Sequence, residues 1–229
     1  AQIPEPVSLG TGIFAPKGER QRRVALLAGC VQRTLAPEIN AATIRLLTRL
    51  GCEVVVPESA GCCGALTHHL GREAEALASV RCNLAVWRDE INAGELDAIV
   101  VNASGCGTMI KDYGYLLRND PEWAEFAAHI SSLACDISEL VDDIGLPAVP
   151  EGIGGKLVYQ SACSLGHSQK VIDAPLRLLR KAGFEVSEPA ESHICCGSAG
   201  SYSLLQPSIA DRLLRNKLVV LEEGEPEFI

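Results

Sequence analysis

Short apolar runs and amphipathic stretches alternate along this chain, and they do so twice. Val24-Ala25-Leu26-Leu27-Ala28 reads as a buried strand. Pro37 to Gly51 reads as a helix: Pro37 suits the first turn, Ile39, Leu46, Leu47 and Leu50 supply an apolar stripe, and Gly51 suits the cap. Glu53 to Val56 is a strand stopped by Pro57. Residues 71–93 form a long helix. Leu96 to Val101 is a buried strand, and a further helix begins near Thr108. Pro121 to His129 and Asp136 to Ile144 look helical. The order then replays: a strand from Lys156 to Gln160, a helix from Ser168 to Gly183, a strand at Glu185-Val186-Ser187 stopped by Pro189, and a helix from Pro207 to Leu221.

Strands alternating with helices imply parallel sheets with helical crossovers. The expected fold is α/β, with two tandem pseudo-symmetric parallel-sheet (Rossmann-like) repeats. Residues 1–22, rich in Pro and Gly, read as a linker or extended lead-in; 23–148 form the first domain and 156–229 the second, joined by a Pro/Gly-rich connector. Ile44 to Gly51 aligns with Leu176 to Gly183 at an offset of 132 (176 − 44), and Pro226 to Ile229 aligns with Leu96 to Ile99.

Aromatics are only 4% of 229 residues, so the core must be aliphatic. A net charge of −9 argues against a nucleic-acid surface or a polybasic membrane patch. No apolar run approaches the ~18 residues of a membrane span. The chain begins without Met or a signal peptide and reads as a fragment. Ten cysteines in this length fall below the density of disulfide scaffolds, which fits a reducing compartment and metal-bound thiolates.

Those cysteines carry the chemistry. Cys30 precedes Cys62-Cys63-Gly64 by 32 positions, and Cys163 precedes Cys195-Cys196-Gly197 by the same 32; the two C-x31-C-C-G patterns are offset by 133 (163 − 30). Cys106, in Gly105-Cys106-Gly107, completes a set of four with Cys30, Cys62 and Cys63. Four soft thiolates suit a [4Fe–4S] cluster or tetrahedral zinc. Adjacent cysteines diverge, which a four-iron cluster accommodates more easily than one ion. The glycine after them lets the backbone approach and aim N–H groups at sulfur. The second repeat offers Cys163, Cys195 and Cys196; its counterpart of Cys106 would fall near position ~236 by the repeat register.

The internal comparison sorts the rest. Cys52 aligns with Phe184 and Cys82 with Asn216, so these two, with Cys135, read as small buried hydrophobes. His68 and His69 read as loop or surface residues. His167 and His193 flank the second site and read as polar loop residues that could donate to a cluster sulfur. Ser198 to Ser201 lacks the lysine and spacing of a phosphate loop. Cys106 has no identifiable base for a nucleophilic role. Asp142-Asp143 reads as a solvated helix face.

These segments resemble a known family. The two C-x31-C-C-G stretches are similar to the duplicated CCG cysteine-rich domain found in heterodisulfide reductases and their relatives, and within that group to the iron–sulfur subunits of glycolate oxidases (glycolate dehydrogenases). The resemblance rests on Ala162 to Lys170, Ser192 to Tyr202 and Asn102 to Gly107, and spans nearly all of 24–229. It implies a subunit carrying electrons from FAD-containing partner subunits, which oxidise glycolate or another 2-hydroxy acid, toward a respiratory-chain acceptor. It implies a cytoplasmic protein, or one peripheral on the inner face of the bacterial inner membrane. Family members carry two ferredoxin-type cysteine runs before this region that are not in this sequence. The family's C-x-x-C after the CCG is reduced here, because Ala103 holds the first position. That departure favours a four-thiolate [4Fe–4S] centre over a five-thiolate noncubane cluster. The resemblance places carbon chemistry on the flavin partner and no catalytic residue on this chain. Two other readings stand beside it: a heterodisulfide-reductase-like thiol/disulfide catalyst, and a structural zinc-binding interaction module.

Overall fold

A central strand with both faces covered explains why the first repeat is so apolar at its start. The computed structural model describes residues 10–148 and 154–229. The chain divides into two units, 1–144 and 145–229.

In the first unit, β1 (Gly12–Phe14) and β2 (Arg22–Leu26) lead into a short helix α1 (Gln32–Leu35) and α2 (Pro37–Arg49). Then come β3 (Cys52–Val56), α3 (Ala65–His69), the long α4 (Glu73–Ala93) and β4 (Ala98–Val101). Helices α5 (Ser104–Lys111), α6 (Tyr113–Leu116) and α7 (Ala124–Leu133), strand β5 (Ala134–Asp136) and α8 (Ile137–Ile144) complete it. The sheet order is β1-β3-β2-β4-β5, parallel throughout except for β1, which runs antiparallel to β3. The mostly parallel sheet is the expected α/β arrangement. Val24, Ala25 and Leu26 are fully buried, as a central parallel strand requires. Val80, Leu84 and Trp87 of α4 pack with Ile99, Ile110 and Ile130 in the main core.

Several sequence expectations shift. Helix α2 buries Asn40, Thr43, Ile44, Leu47 and Thr48, while Ile39 faces solvent. Its buried face tolerates polar residues because they are satisfied: Asn40 Nδ2 donates to Ala28 O (2.8 Å) and Thr43 Oγ1 to Ile39 O (2.9 Å). The helix expected near Thr108 starts at Ser104. Strand β5 falls between the helices expected at Pro121–His129 and Asp136–Ile144 and takes Asp136 from the second, which starts at Ile137.

At the N-terminal edge of the sheet, Arg23 is 8% exposed. Its guanidinium meets Glu53 (3.0 Å) and Glu90 (2.9 Å) and the carbonyls of Glu90 and Gly94. This clasp ties β2 to β3 and to the end of α4.

The second unit runs β6 (Lys156–Val158), a π-helical turn Ser164–Ser168, α9 (Asp173–Lys181), β7 (Glu185–Ser187), α10 (Tyr202–Leu205) and α11 (Pro207–Leu221). The helix expected from Ser168 starts only at Asp173, because Lys170 takes a left-handed conformation (φ 63°) that a continuous helix cannot hold. Strands β6 and β7 pair in parallel. Leu157 bridges Phe228 in parallel, and Glu227 N donates to Lys156 O (2.8 Å). The first unit pairs Val24 with Ala98 and bonds Asp97 N to Arg23 O (2.8 Å). The one bridge falls in the same register as Val24 with Ala98 under the alignment of 226–229 with 96–99. Among the described residues no helix is long and apolar enough to cross a membrane.

Candidate metal centre

Parallel sheets present their ligand sites beyond the carboxyl ends of the strands, and the first unit's cysteines lie there. Cys30 follows β2, Cys62 and Cys63 follow β3, and Cys106 follows β4 in the first turn of α5. The structure brings these four together as two pairs. Cys30 and Cys62 stand 3.5 Å apart at sulfur, and Cys63 is hydrogen-bonded to Cys106. Cys63 is 2% exposed, Cys62 and Cys106 are half-buried, and Cys30 opens to solvent.

The glycine of the motif has two physical reasons to be glycine. Gly64 has φ +90°, and a Cβ there would lie 3.1 Å from Ala76 O of α4. Gly197 repeats this with φ +85° and the backbone carbonyl of Ala210 in α11 against the same face. The turn aims amide hydrogens at sulfur. Gly64 N lies 3.4 Å from Cys62 Sγ, and Gly197 N lies 3.4 Å from Cys195 Sγ. The amides of Ala65 and Val31 act likewise on Cys63 and Cys30, each favouring the thiolate.

Crowding of sulfurs opposes that effect. Burial, then the Cys62 thiol, pushes Cys30 up to about 11 even though part of it meets solvent. The hydrogen bond to Cys106, then burial, holds the Cys63 thiol far above its ordinary value, and the same bond pulls Cys106 down. In this pair Cys63 is the donor and Cys106 the acceptor. Four thiolates crowded in this way repel one another, so a thiophilic metal bound here would displace protons. The donor set is all sulfur, with no carboxylate or imidazole in it. That chemistry fits an iron–sulfur cluster or another thiophilic metal. Among the described residues no three Cys, His, Asp or Glu side chains close around a single-ion position.

A buried polar clamp behind the CCG loop was not foreseen from sequence. Asn83 of α4 is fully buried. Its Oδ1 accepts from Gly61 N (2.9 Å), and its Nδ2 donates to Cys62 O (2.9 Å) and Tyr113 OH (3.2 Å). Tyr113 OH donates to Cys63 O (2.8 Å). A second network joins the loops bearing Cys30 and Cys106. Gln32 Nε2 donates to Asn40 Oδ1 (2.7 Å) and Asn102 Oδ1 (2.6 Å), and Asn102 Nδ2 donates to Asn40 Oδ1 (2.9 Å) and Thr43 Oγ1 (2.8 Å). The signal for Asn83 was present: it interrupts the apolar stripe Ala76, Val80, Leu84, Trp87 at helical spacing.

The second unit's cysteines are more open. Cys163 and Cys195 are exposed and Cys196 is half-buried. Among the described residues no thiol–thiol hydrogen bond joins Cys163 to Cys195 or Cys196. The other cysteines divide. Cys52 is fully buried in β3 and Cys135 in β5 is pushed up to about 12 by burial, but Cys82 is exposed rather than a core residue, because it points away from the stripe that holds Asn83. His68 and His69 lie in α3 with rings 5.9 Å apart. His167 and His193 are exposed, with no described hydrogen bond to sulfur. Ser198 to Ser201 leads into a helix of only four residues, too short to form an anion site. Asp143 pairs with Arg22 (2.5 Å).

Comparison with known proteins identifies the family. The CCG cysteine-rich domain matches residues 24–111 and 157–229. The glycolate oxidase iron–sulfur subunit of Escherichia coli K12 is 42% identical over 93% of this chain and 52% of its own length. The probable glycolate oxidase iron–sulfur subunit of Bacillus subtilis 168 is 31% identical over 94% of this chain and 49% of its own. Lactate utilization protein A of Geobacillus kaustophilus is 29% identical over 90% of this chain and 85% of its own. The chain spans about half the length of the two glycolate oxidase subunits it matches. With its two matched segments covering both repeats and both cysteine motifs, the chain belongs to the CCG cysteine-rich domain family.

Proposed function

We propose that this chain is the iron–sulfur electron-transfer portion of a flavin-dependent glycolate (2-hydroxy-acid) oxidase or dehydrogenase complex. The observation that carries the reading is the all-sulfur set at the strand ends, with backbone amides aimed at three of its four sulfurs. The likeness to glycolate oxidase iron–sulfur subunits supports it. Cys30, Cys62, Cys63 and Cys106 hold a [4Fe–4S] cluster. Cys163, Cys195 and Cys196 hold part of a second.

When bound, such a cluster supplies one-electron transfer. The chain's own residues do the rest. Gly64 and Ala65 orient amide dipoles toward thiolates. Asn83 and Tyr113 fix the carbonyls of Cys62 and Cys63, so that the turn cannot relax. Tyr113 and the core beneath it exclude water from the Cys63 side, while Cys30 keeps an open edge for an electron donor or acceptor. The partners are FAD-containing subunits and a respiratory-chain acceptor, at the inner face of the bacterial inner membrane. The test is anaerobic co-purification of the full-length subunit with its flavin partner, followed by addition of glycolate. Appearance of a reduced-cluster EPR signal supports the reading. Stoichiometric zinc without iron, even after reconstitution, replaces it with a structural zinc module. Disulfide-dependent turnover by the chain itself replaces it with a thiol/disulfide catalyst.

A further inference from the structure

The long helix of each repeat carries one polar residue on its buried stripe. In α4 it is Asn83, among Ala76, Val80, Leu84 and Trp87. In α11 it is Lys217, between Ala210 and Leu221. Ala76 stands against Gly64 as Ala210 stands against Gly197. That contact aligns the helices at an offset of 134 (210 − 76), so Lys217 occupies the place of Asn83 (217 − 83).

The two residues brace the approach to their cysteine pairs at different points and with different charge. Asn83 bonds Gly61 and Cys62. Lys217 Nζ donates to Glu191 O (2.6 Å) and Gln160 Oε1 (3.1 Å), and Gln160 Nε2 donates to Ser192 O (2.9 Å). Both hold the segment that runs into the adjacent cysteines. Lys217 is only 1% exposed. Its acceptors are neutral oxygens, and among the described residues no carboxylate pairs with it. An ammonium buried without a counter-ion is costly, and such groups persist where negative charge is nearby. The segment it grips leads, within four residues of Glu191, to Cys195 and Cys196.

We propose that Lys217 is the counter-charge of the second cysteine site and makes that site the more easily reduced of the two. This rests on the iron–sulfur reading above. A thiolate-held cluster gains one negative charge on reduction, and a fixed cation shielded from solvent favours the reduced form. The first site has only the neutral amide of Asn83 and the neutral hydroxyl of Tyr113 at the corresponding place. Lys217 is a positioning residue with an electrostatic effect; it contacts no reacting atom.

The experiment is an EPR-monitored redox titration of the anaerobic full-length subunit, comparing wild type with Lys217→Gln and Lys217→Met, with iron and sulfide determined on each. The expected result is that both variants lower the potential of the second-site signal by about 59 mV, a tenfold loss in its affinity for one electron, and leave the first-site signal in place. Iron-free wild type overturns the iron–sulfur reading and this assignment with it. Iron-loaded wild type and variants with identical potentials overturn the role of Lys217 alone. If the variants load poorly, thermal unfolding of the metal-free full-length protein decides. A cation lacking its counter-charge makes metal-free Lys217→Met at least as stable as wild type. A marked loss of stability in that variant means Lys217 serves only through its hydrogen bonds, and overturns the proposal.

Discussion

The two units place the same motif with unequal support. Both set a left-handed glycine against a small residue of the long helix, both aim that glycine's N–H at the first cysteine of the pair, and both share one strand register. Beyond this shared frame they part. The first unit adds a five-stranded sheet, the Arg23 clasp, the Asn83–Tyr113 clamp and the Gln32–Asn40–Asn102 network. The second has a two-stranded sheet with one bridge and a buried lysine. Leu214 and Leu218, counterparts of the buried Val80 and Leu84, are 45% and 38% exposed. The shared features are therefore the minimum that positions a CCG turn. The unshared ones set how firmly the cysteines are held and what charge surrounds them.

The shared frame is broken most severely at its glycines. Gly64→Ala and Gly197→Ala each force a positive φ on a residue with Cβ and drive that Cβ into a helix carbonyl. The expected cost is roughly 2–5 kcal/mol each, read by thermal unfolding, with loss of iron at the affected site. Equal tolerance to alanine at both positions contradicts the account of the turn.

The clasp separates the units. Arg23→Met leaves Glu90 without its cation and Glu53 with only the exposed Arg20, 3.5 Å away; both carboxylates are partly exposed, so the expected loss is about 2–3 kcal/mol rather than the full buried-pair penalty. The aligned Lys156 is exposed, and Lys156→Met is expected to change stability by less than about 0.5 kcal/mol. Denaturant titration of both variants checks the contrast, and similar losses would refute it.

Tyr113→Phe removes one buried donor to Cys63 O and should cost about 1 kcal/mol. Its distinctive readout is an altered EPR line shape for the first site with the second unchanged. An effect on stability alone reduces Tyr113 to a core residue.

The smallest effect concerns pH. Burial and the neighbouring Cys62 thiol push Cys30 up to about 11, and the Cys106 bond and burial raise Cys63 further. Protons therefore compete with metal at neutral pH, and first-site uptake should strengthen as pH rises from about 7 toward about 9. Metal titration of metal-free protein measures this, and a flat profile speaks against the crowded-thiol picture.

Much of this was legible in the sequence. Cysteine spacing revealed the repeat, and the alignment of Pro226–Ile229 with the β4 strand matched the Leu157–Phe228 bridge. The parts that were hidden depend on contacts far along the chain. Asn83 reads as an ordinary polar helix position until the CCG loop is seen folded over it. Tyr113 reads as core until its hydroxyl reaches Cys63 O, fifty residues away. Strand β5 is three residues long between two helices, too short for a period-two pattern to emerge. The π-helical turn after Cys163 hides because Lys170, an ordinary residue, takes the left-handed conformation that breaks the helix.

The central claim is that Cys30, Cys62, Cys63 and Cys106 hold one iron–sulfur cluster. Cys63→Ser and Cys196→Ser in the anaerobic full-length subunit, with iron, sulfide and EPR measured on each, test it most directly. The account predicts that Cys63→Ser removes one cluster's signal and about four irons, that Cys196→Ser removes or weakens a different one, and that both proteins stay folded. Iron content and EPR spectra indistinguishable from wild type in Cys63→Ser would contradict it.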